Sequence, residues 1–254
     1  MSKQVVLAGF HAVNARAKIK PESIRVVYMD AGRRDKRMHQ CRERLVEAGV
    51  KVMQADQKRL EALAGGVPHQ GVVALADELK QSVDFDWLMD NITDKTLLLI
   101  LDGVTDPRNF GACLRVADAA GVQAVIVPRD RSASFSPAAA KAAAGAWETV
   151  PVVQVTNLAA SIVELRDAGV LVLGTAGEAQ KTIYEFDQRR ALAWVLGAEG
   201  EGLRQLTRKR CDALAKIPMF GAVDSLNVSV ASGVCLFESV RQRSCEGSDS
   251  PAAS

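Results

Sequence analysis

The stretch Leu97-Leu-Leu-Ile-Leu-Asp-Gly-Val-Thr-Asp-Pro-Arg-Asn-Phe-Gly-Ala-Cys-Leu-Arg115 decides the fold. Five consecutive apolar residues, Leu97 to Leu101, predict a strand buried on both faces, which is the environment of a parallel sheet. A polar loop follows, and then a helix predicted over Asn109 to Ala120 with Gly121 as its stop. The same rhythm continues to the C-terminus. Strands are predicted at 124–128, 150–155, 170–175, 191–197 and 214–218. Helices are predicted at 138–147, 158–168, 203–210 and 228–241. Alternation of this kind predicts an α/β fold with a mainly parallel sheet and helices on both faces.

Residues 1–76 read as a separate small α/β module. Strands are expected at 24–29, 51–55 and 71–76, with helices at 36–48 and 57–64. Residues 77–96 are acidic and poor in apolar residues, as in an interdomain linker, although Trp87 and Leu88 could anchor a short helix. The larger domain is placed at 97–243. The segment 244–254 has too little apolar content to fold and is read as a disordered tail.

The formal net charge of +2 conceals an asymmetry. Residues 1–75 hold 14 Lys and Arg against 7 Asp and Glu, residues 76–96 hold 2 against 6, and the remainder 16 against 17. A basic module beside a near-neutral one points to a polyanionic partner, with Arg33, Arg34, Lys36 and Arg37 as its densest cluster. A solvated charged face would show the same composition. No apolar run is long enough for a membrane span, and no secretory leader is apparent, so a cytoplasmic protein is expected. Five scattered cysteines form no Cys-x-x-Cys pair, which argues for reduced thiols and against a metal site.

Several chemistries lack their signatures. There is no phosphate loop and no Gly-x-Ser-x-Gly elbow, and Gly197, Gly200 and Gly202 do not have dinucleotide-fingerprint spacing. His11, His39 and His69 all lie in the first module. Three segments remain: 101–115, 196–203 (Leu-Gly-Ala-Glu-Gly-Glu-Gly-Leu) and 217–230 (Ile-Pro-Met-Phe-Gly-Ala-Val-Asp-Ser-Leu-Asn-Val-Ser-Val). Each couples a strand end to a loop rich in glycine and small polar residues, and ligands of open α/β sheets bind at such ends. Ile217, Met219 and Leu226 can pack against a flat ring such as adenine. Asn109 and Asn227 have the composition of helix caps, and Arg115 lies about 120° around its helix from Asn109. Read singly, the two asparagines could be plain caps, Glu199 and Glu201 exposed loop carboxylates, and Arg115 a surface cation.

Together, in order, Asn109-x₅-Arg115, Gly197-x-Glu-Gly-x-Gly202 and Ile217-Pro-Met…Ser225-Leu-Asn-Val-Ser229 resemble the SpoU class of RNA 2′-O-ribose methyltransferases over residues 97–243. The first module, with Gly9-Phe-His-Ala-Val13 and His69-Gln-Gly-Val-Val73, resembles the L30e-like substrate-binding domain that precedes it in some members. The resemblance implies a C-terminal chain threaded into a deep trefoil knot, S-adenosylmethionine as cofactor and a homodimer. It implies methylation of a guanosine ribose in 23S ribosomal RNA; a transfer-RNA ribose methyltransferase or a non-catalytic RNA-binding protein on the same scaffold are the alternatives. It places Thr175, Gly197, Ile217, Met219 and Leu226 around the cofactor, and Arg115, Asn109, Glu199, Ser225 and Asn227 in the catalytic group. Members assign the position of Arg115 as base. An arginine scarcely deprotonates, so a guanidinium that binds phosphate and stabilises a forming alkoxide is the sounder role.

The charge distribution carries a prediction. RNA affinity falls steeply as salt rises, because phosphate neutralisation releases counterions. A binding isotherm insensitive to salt between 50 and 200 mM (roughly the range over which such contacts are lost) contradicts it.

Overall fold

Val5, Val6 and Leu7 form the centre of an N-terminal strand that the strand assignments above omit: β1 (Gln4–Ala8) leads directly into α1 (Phe10–Ile19). The computed structural model describes residues 4–77, 83–133 and 136–244. These divide into two compact units, Met1–Gln81 with Ala144–Thr149, and Ser82–Ala143 with Val150–Ser254.

In the first unit β2 (Ile24–Asp30), α2 (Lys36–Glu47), β3 (Val52–Ala55), α3 (Gln57–Ala64) and β4 (Val72–Asp77) follow α1. The sheet order is β1-β4-β2-β3, with only β2 and β3 parallel. Asp35 and Asp56 cap α2 and α3 by accepting backbone N–H groups. Phe10, Val13, Cys41 and Leu45 pack with Val27, Val72 and Ala74 on one face, while Leu60 and Ala64 cover Tyr28 and Val73 on the other. Arg16 is buried there; its Nε donates to Glu148 at 2.6 Å, and its guanidinium donates to the Asp77 carbonyl at 2.8 Å.

The second unit opens earlier than expected. Within the expected linker 77–96, Asp77 ends β4, residues 78–82 lie outside the described residues, and α4 (Phe85–Asp90) buries Leu88 completely. Leu88 joins Leu98, Ile100, Val153 and Ile162 in one core, so apolar packing overrides the acidic composition.

The strands β5 (Leu97–Asp102), β6 (Ala124–Pro128), β7 (Val152–Val155), β8 (Leu171–Thr175), β9 (Leu192–Gly197) and β10 (Ala213–Ala215) form a six-stranded sheet. Its order is β10-β8-β9-β5-β6-β7 and every pairing is parallel. All six residues of β5 are buried. Each of its apolar side chains contributes roughly 1.5–3 kcal/mol by leaving water. The order reverses between β5 and β9, which marks the carboxyl end of this sheet as the ligand-binding side.

The helices are α5 (Pro107–Ala119), α6 (Pro137–Ala143), α7 (Leu158–Asp167), α8 (Gln205–Arg210) and α9 (Val228–Ser244). Ile162 and Leu165 of α7 pack on the Leu98 and Ile100 face. On α9, Ser239 accepts a 3.0 Å hydrogen bond from the buried Trp194 indole of β9. Two helices end more than two residues from where they are expected. The alanine-rich helix stops at Ala143, because Ala144 takes a left-handed backbone (φ 51°), and Ala146–Glu148 form a separate turn. α9 includes Ser244, so the expected tail loses its first residue; 245–254 lie outside the described residues.

Gly111 sets how closely α6 lies on α5. A β-carbon there would stand 2.3 Å from the Ala139 carbonyl oxygen and 2.8 Å from the Ala142 β-carbon. Gly111→Ala gains helix propensity of about 1 kcal/mol but forces the helices apart. The expected net outcome in a denaturant melt is a destabilisation of about 1–3 kcal/mol; a more stable variant contradicts this packing.

Candidate functional site

The crevice is lined by loops leaving the carboxyl ends of β8, β9 and β10. Thr175 ends β8 and its hydroxyl donates to the Val195 carbonyl at 3.3 Å. Beyond β10 the chain leaves the sheet at Lys216, whose N–H bonds the Lys181 carbonyl at 2.9 Å. The expected strand 214–218 is therefore shorter, and Pro218, which has no N–H to offer a ladder, lies in the loop. Ile217 and Met219 line a cavity of about 570 Å³ together with Thr175, Ser225 and Leu226. A second cavity, of about 710 Å³, is lined by Gly197, Glu199, Asn227 and again Thr175, Ser225 and Leu226. The shared walls make these two lobes of one crevice. All five residues expected around the cofactor line it.

Glu199 joins three distant segments. Its Oε1 accepts hydrogen bonds from Asn109 Nδ2 at 3.0 Å and Asn227 Nδ2 at 2.6 Å. The Asn227 amide also donates to Asn109 Oδ1 at 2.9 Å. Asn109 is not a cap: Asp106 caps α5, accepting from the Arg108 and Asn109 N–H groups, and Pro107 occupies the first turn where no N–H is required. The Asn109 side chain is thereby released toward Glu199. Asn227 does both jobs, since its Oδ1 accepts from the Ser229 N–H at 2.9 Å at the start of α9.

Arg115 and Ser225 stand outside this triangle. Ser225 is an exposed lining residue of both lobes. Arg115 is exposed on α5 and makes no hydrogen bond or ion pair among the described residues. Sequence reasoning missed Asp102 and Arg204. Asp102 ends β5 and is buried; it accepts the Arg204 backbone N–H at 3.0 Å and pairs with the Arg204 guanidinium. The signal was present as a carboxylate directly after five apolar residues. The pair fastens the end of the 198–204 loop to β5, and a buried carboxylate requires such partners.

Burial pushes the Cys113 thiol up to about 11, with a smaller contribution from the Glu199 charge. Burial likewise raises Cys211 to about 12, so both thiols are protonated at neutral pH. Among the described residues no group of three or more His, Cys, Asp or Glu could hold a metal ion, and no helix is long and apolar enough to cross a membrane.

In the first unit, two members of the basic cluster are stacked. The Arg33 and Arg37 guanidiniums lie 5.1 and 4.5 Å from the centre of the Phe10 ring, and Arg37 contacts His11 Nε2 at 3.2 Å. Stacked guanidiniums of this kind offer planar, charged surfaces to a strand of bases and phosphates.

Comparison with known proteins places these geometries in context. The family model described as the SpoU rRNA methylase family matches residues 96–237, and that described as RNA 2′-O ribose methyltransferase substrate binding matches residues 6–82. The chain is 55% identical over 244 residues to the 23S rRNA (guanosine-2′-O-)-methyltransferase RlmB of Ralstonia nicotianae, covering 96% of this chain and 98% of that protein. It is 50% identical over 241 residues to the protein of the same name from Escherichia coli, covering 94% and 99%. Among solved structures it resembles the AdoMet-bound rRNA methyltransferase from Sinorhizobium meliloti, with a TM-score of 0.71, 25% identity, and coverage of 94% and 87%.

Gly197 tests the crevice. A β-carbon at this position would lie 2.0 Å from the Gly202 carbonyl carbon and 2.4 Å from the Leu203 nitrogen. Gly197→Ala therefore displaces the loop bearing Glu199, and its S-adenosylmethionine affinity in calorimetry is expected to fall at least about tenfold (about 1.4 kcal/mol). Gly32→Ala, in the first unit and with ordinary van der Waals space around its β-carbon, is the control. Equal affinities in the two variants contradict the close approach.

Proposed function

The chain belongs to the SpoU rRNA methylase family, and on that premise we propose that it methylates the ribose 2′-oxygen of a guanosine in 23S ribosomal RNA with S-adenosylmethionine as methyl donor. The observation that carries the proposal is the convergence of Asn109, Glu199 and Asn227 on one lobe of a crevice whose other lobe is lined by Ile217, Met219 and Leu226.

The residues present fit the donor. Ile217, Met219 and Leu226 supply apolar surface for the adenine, Thr175 and Ser225 supply hydroxyls, and the lining carboxylates Asp224 and Glu199 favour a cation. Gly197 leaves room because it carries no side chain between the loop and the strand end. When bound, the sulfonium supplies an electrophilic methyl group.

What the chain itself contributes is alignment and charge. A ribose hydroxyl is a poor nucleophile and must shed its proton as it attacks in line, and fixing that geometry can contribute several kcal/mol. Glu199, held by two amides, is positioned as an acceptor beside the attacking hydroxyl. Arg115, with no partner among the described residues, binds the neighbouring phosphate and stabilises the forming alkoxide. Ser225, at the junction of the lobes, orients the ribose or the donor.

The finer assignments belong to the same reading. The C-terminal chain forms a trefoil knot: the tight approach of Gly197 to Gly202 and Leu203, and the return of the chain from edge strand β10 to the Asn109–Glu199 pair at Asn227, support it. The first unit is an L30e-like RNA-binding domain, supported by its mixed four-stranded sheet and its stacked arginines. A homodimer accounts for Val230 and Phe237, which leave α9 with exposed apolar surface. Action on ribosomal RNA in the cytoplasm follows.

Arg115→Ala is expected to lower methyl transfer to 23S ribosomal RNA by at least about 100-fold, while S-adenosylmethionine still binds. Radiolabelled methyl incorporation together with calorimetry measures both. Wild-type turnover in this variant removes Arg115 from the mechanism.

A further inference from the structure

The second unit contains another cavity, of about 480 Å³, among the loops beyond β6 and β7 and the start of α8. Its lining includes Arg131, Asp130, Thr156, Leu158, Leu206 and Arg204. We propose that it binds a nucleotide of the RNA strand next to the methylated residue, with that nucleotide's phosphate on Arg131. The inference rests on the ribosomal-RNA reading above and deepens it.

Position comes first. Arg204, at the end of the 198–204 loop, lines this cavity. Arg204, whose N–H and guanidinium are fastened to Asp102, closes the loop that bears Glu199. The Ala133 N–H bonds the Val104 carbonyl at 2.8 Å, tying the 129–133 loop to the loop that leads into α5 and Asn109. Glu199 therefore lines the crevice on one flank of the 198–204 segment, and Arg204 lines the second cavity on the other. Along the carboxyl edge, β5 separates β9 from β6. At about 4.8 Å between strands, the two sites stand on the order of 10–15 Å apart, within reach of neighbouring nucleotides on one chain.

Chemistry comes second. The cavity falls within the usual range of small-molecule sites, about 300–1,000 Å³. Arg204 is neutralised by Asp102, so Arg131 is the charge available to an anion. Arg131 is exposed and makes no hydrogen bond or ion pair among the described residues, in a left-handed backbone (φ 56°). Leu206 is 54% exposed and, with the buried Leu158, offers apolar surface for a base to cover. Thr156 provides a hydroxyl for a ribose, and Asp130 an acceptor for base amino groups. Phosphate, sugar and base each have a counterpart, as single-stranded RNA recognition requires.

The test uses the full chain and unmodified 23S ribosomal RNA transcript. RNA affinity is measured across salt concentrations for wild type, Arg131→Ala, Arg131→Glu and Leu206→Asp, with S-adenosylmethionine affinity and methyl incorporation in parallel. Both positions, Arg131 and Leu206, are exposed, so folding is spared. Arg131→Ala is expected to weaken RNA binding about fivefold and to reduce the slope of log affinity against log salt by about 0.7–1, as loss of one phosphate contact does. Arg131→Glu weakens binding further, and Leu206→Asp weakens it as well; cofactor affinity stays within twofold throughout. Wild-type RNA affinity and slope in both Arg131 variants overturn the proposal, as does a loss that appears equally in cofactor binding. If wild type methylates the transcript, those results sink this inference alone; a wild type that leaves the transcript unmethylated sinks the ribosomal-RNA reading with it.

Discussion

One carboxylate oxygen, Oε1 of Glu199, accepts amides from residues 90 positions before it and 28 positions after it. That is the interaction on which the site depends. The segments 101–115, 196–203 and 217–230 lie far apart in the chain. They meet because β5 and β9 are parallel neighbours that end side by side, with Asp102 opposite Gly197 in the ladder. The sheet supplies the proximity, and the Glu199 triangle converts it into a defined arrangement. Behind it, the Asp102–Arg204 pair anchors the far end of the loop and Gly197 allows it to double back. A buried ion pair is weak evidence for stability but a good device for holding one geometry.

The architecture of the second unit was legible because its strands are buried on both faces. Leu97–Leu101 is too short for a core helix and is bounded at once by Asp102-Gly103, and the glycines after Ala120 and Ala168 punctuate the helices. The elements that depart from expectation do so for separate physical reasons. α4 exists because Leu88 fits a core built by Leu98 and Val153, although its local composition is that of a linker. The alanine-rich helix stops at Ala143 because of backbone geometry at Ala144, while its composition favours continuation. β1 was overlooked because a run of three apolar residues close to a terminus carries little periodicity.

At the site, residue identity was legible and residue role less so. Asn109 and Asn227 both had the composition of caps; only the three-dimensional arrangement separates them, since Asp106 relieves Asn109 of capping while Asn227 caps and bonds Glu199 together. Asp102 was hidden because a carboxylate at a strand end reads as the start of a loop. Arg115 is the reverse case. Motif spacing singles it out, yet the folded chain gives it no hydrogen-bond or ion-pair partner among the described residues.

The loops after β8, β9 and β10 line one crevice. Amide hydrogen exchange with and without S-adenosylmethionine reports on each of them separately. Slowed exchange in 175–177, 197–203 and 216–227 together is expected on addition of the donor. Protection confined to one of these segments, or none in any of them, contradicts it.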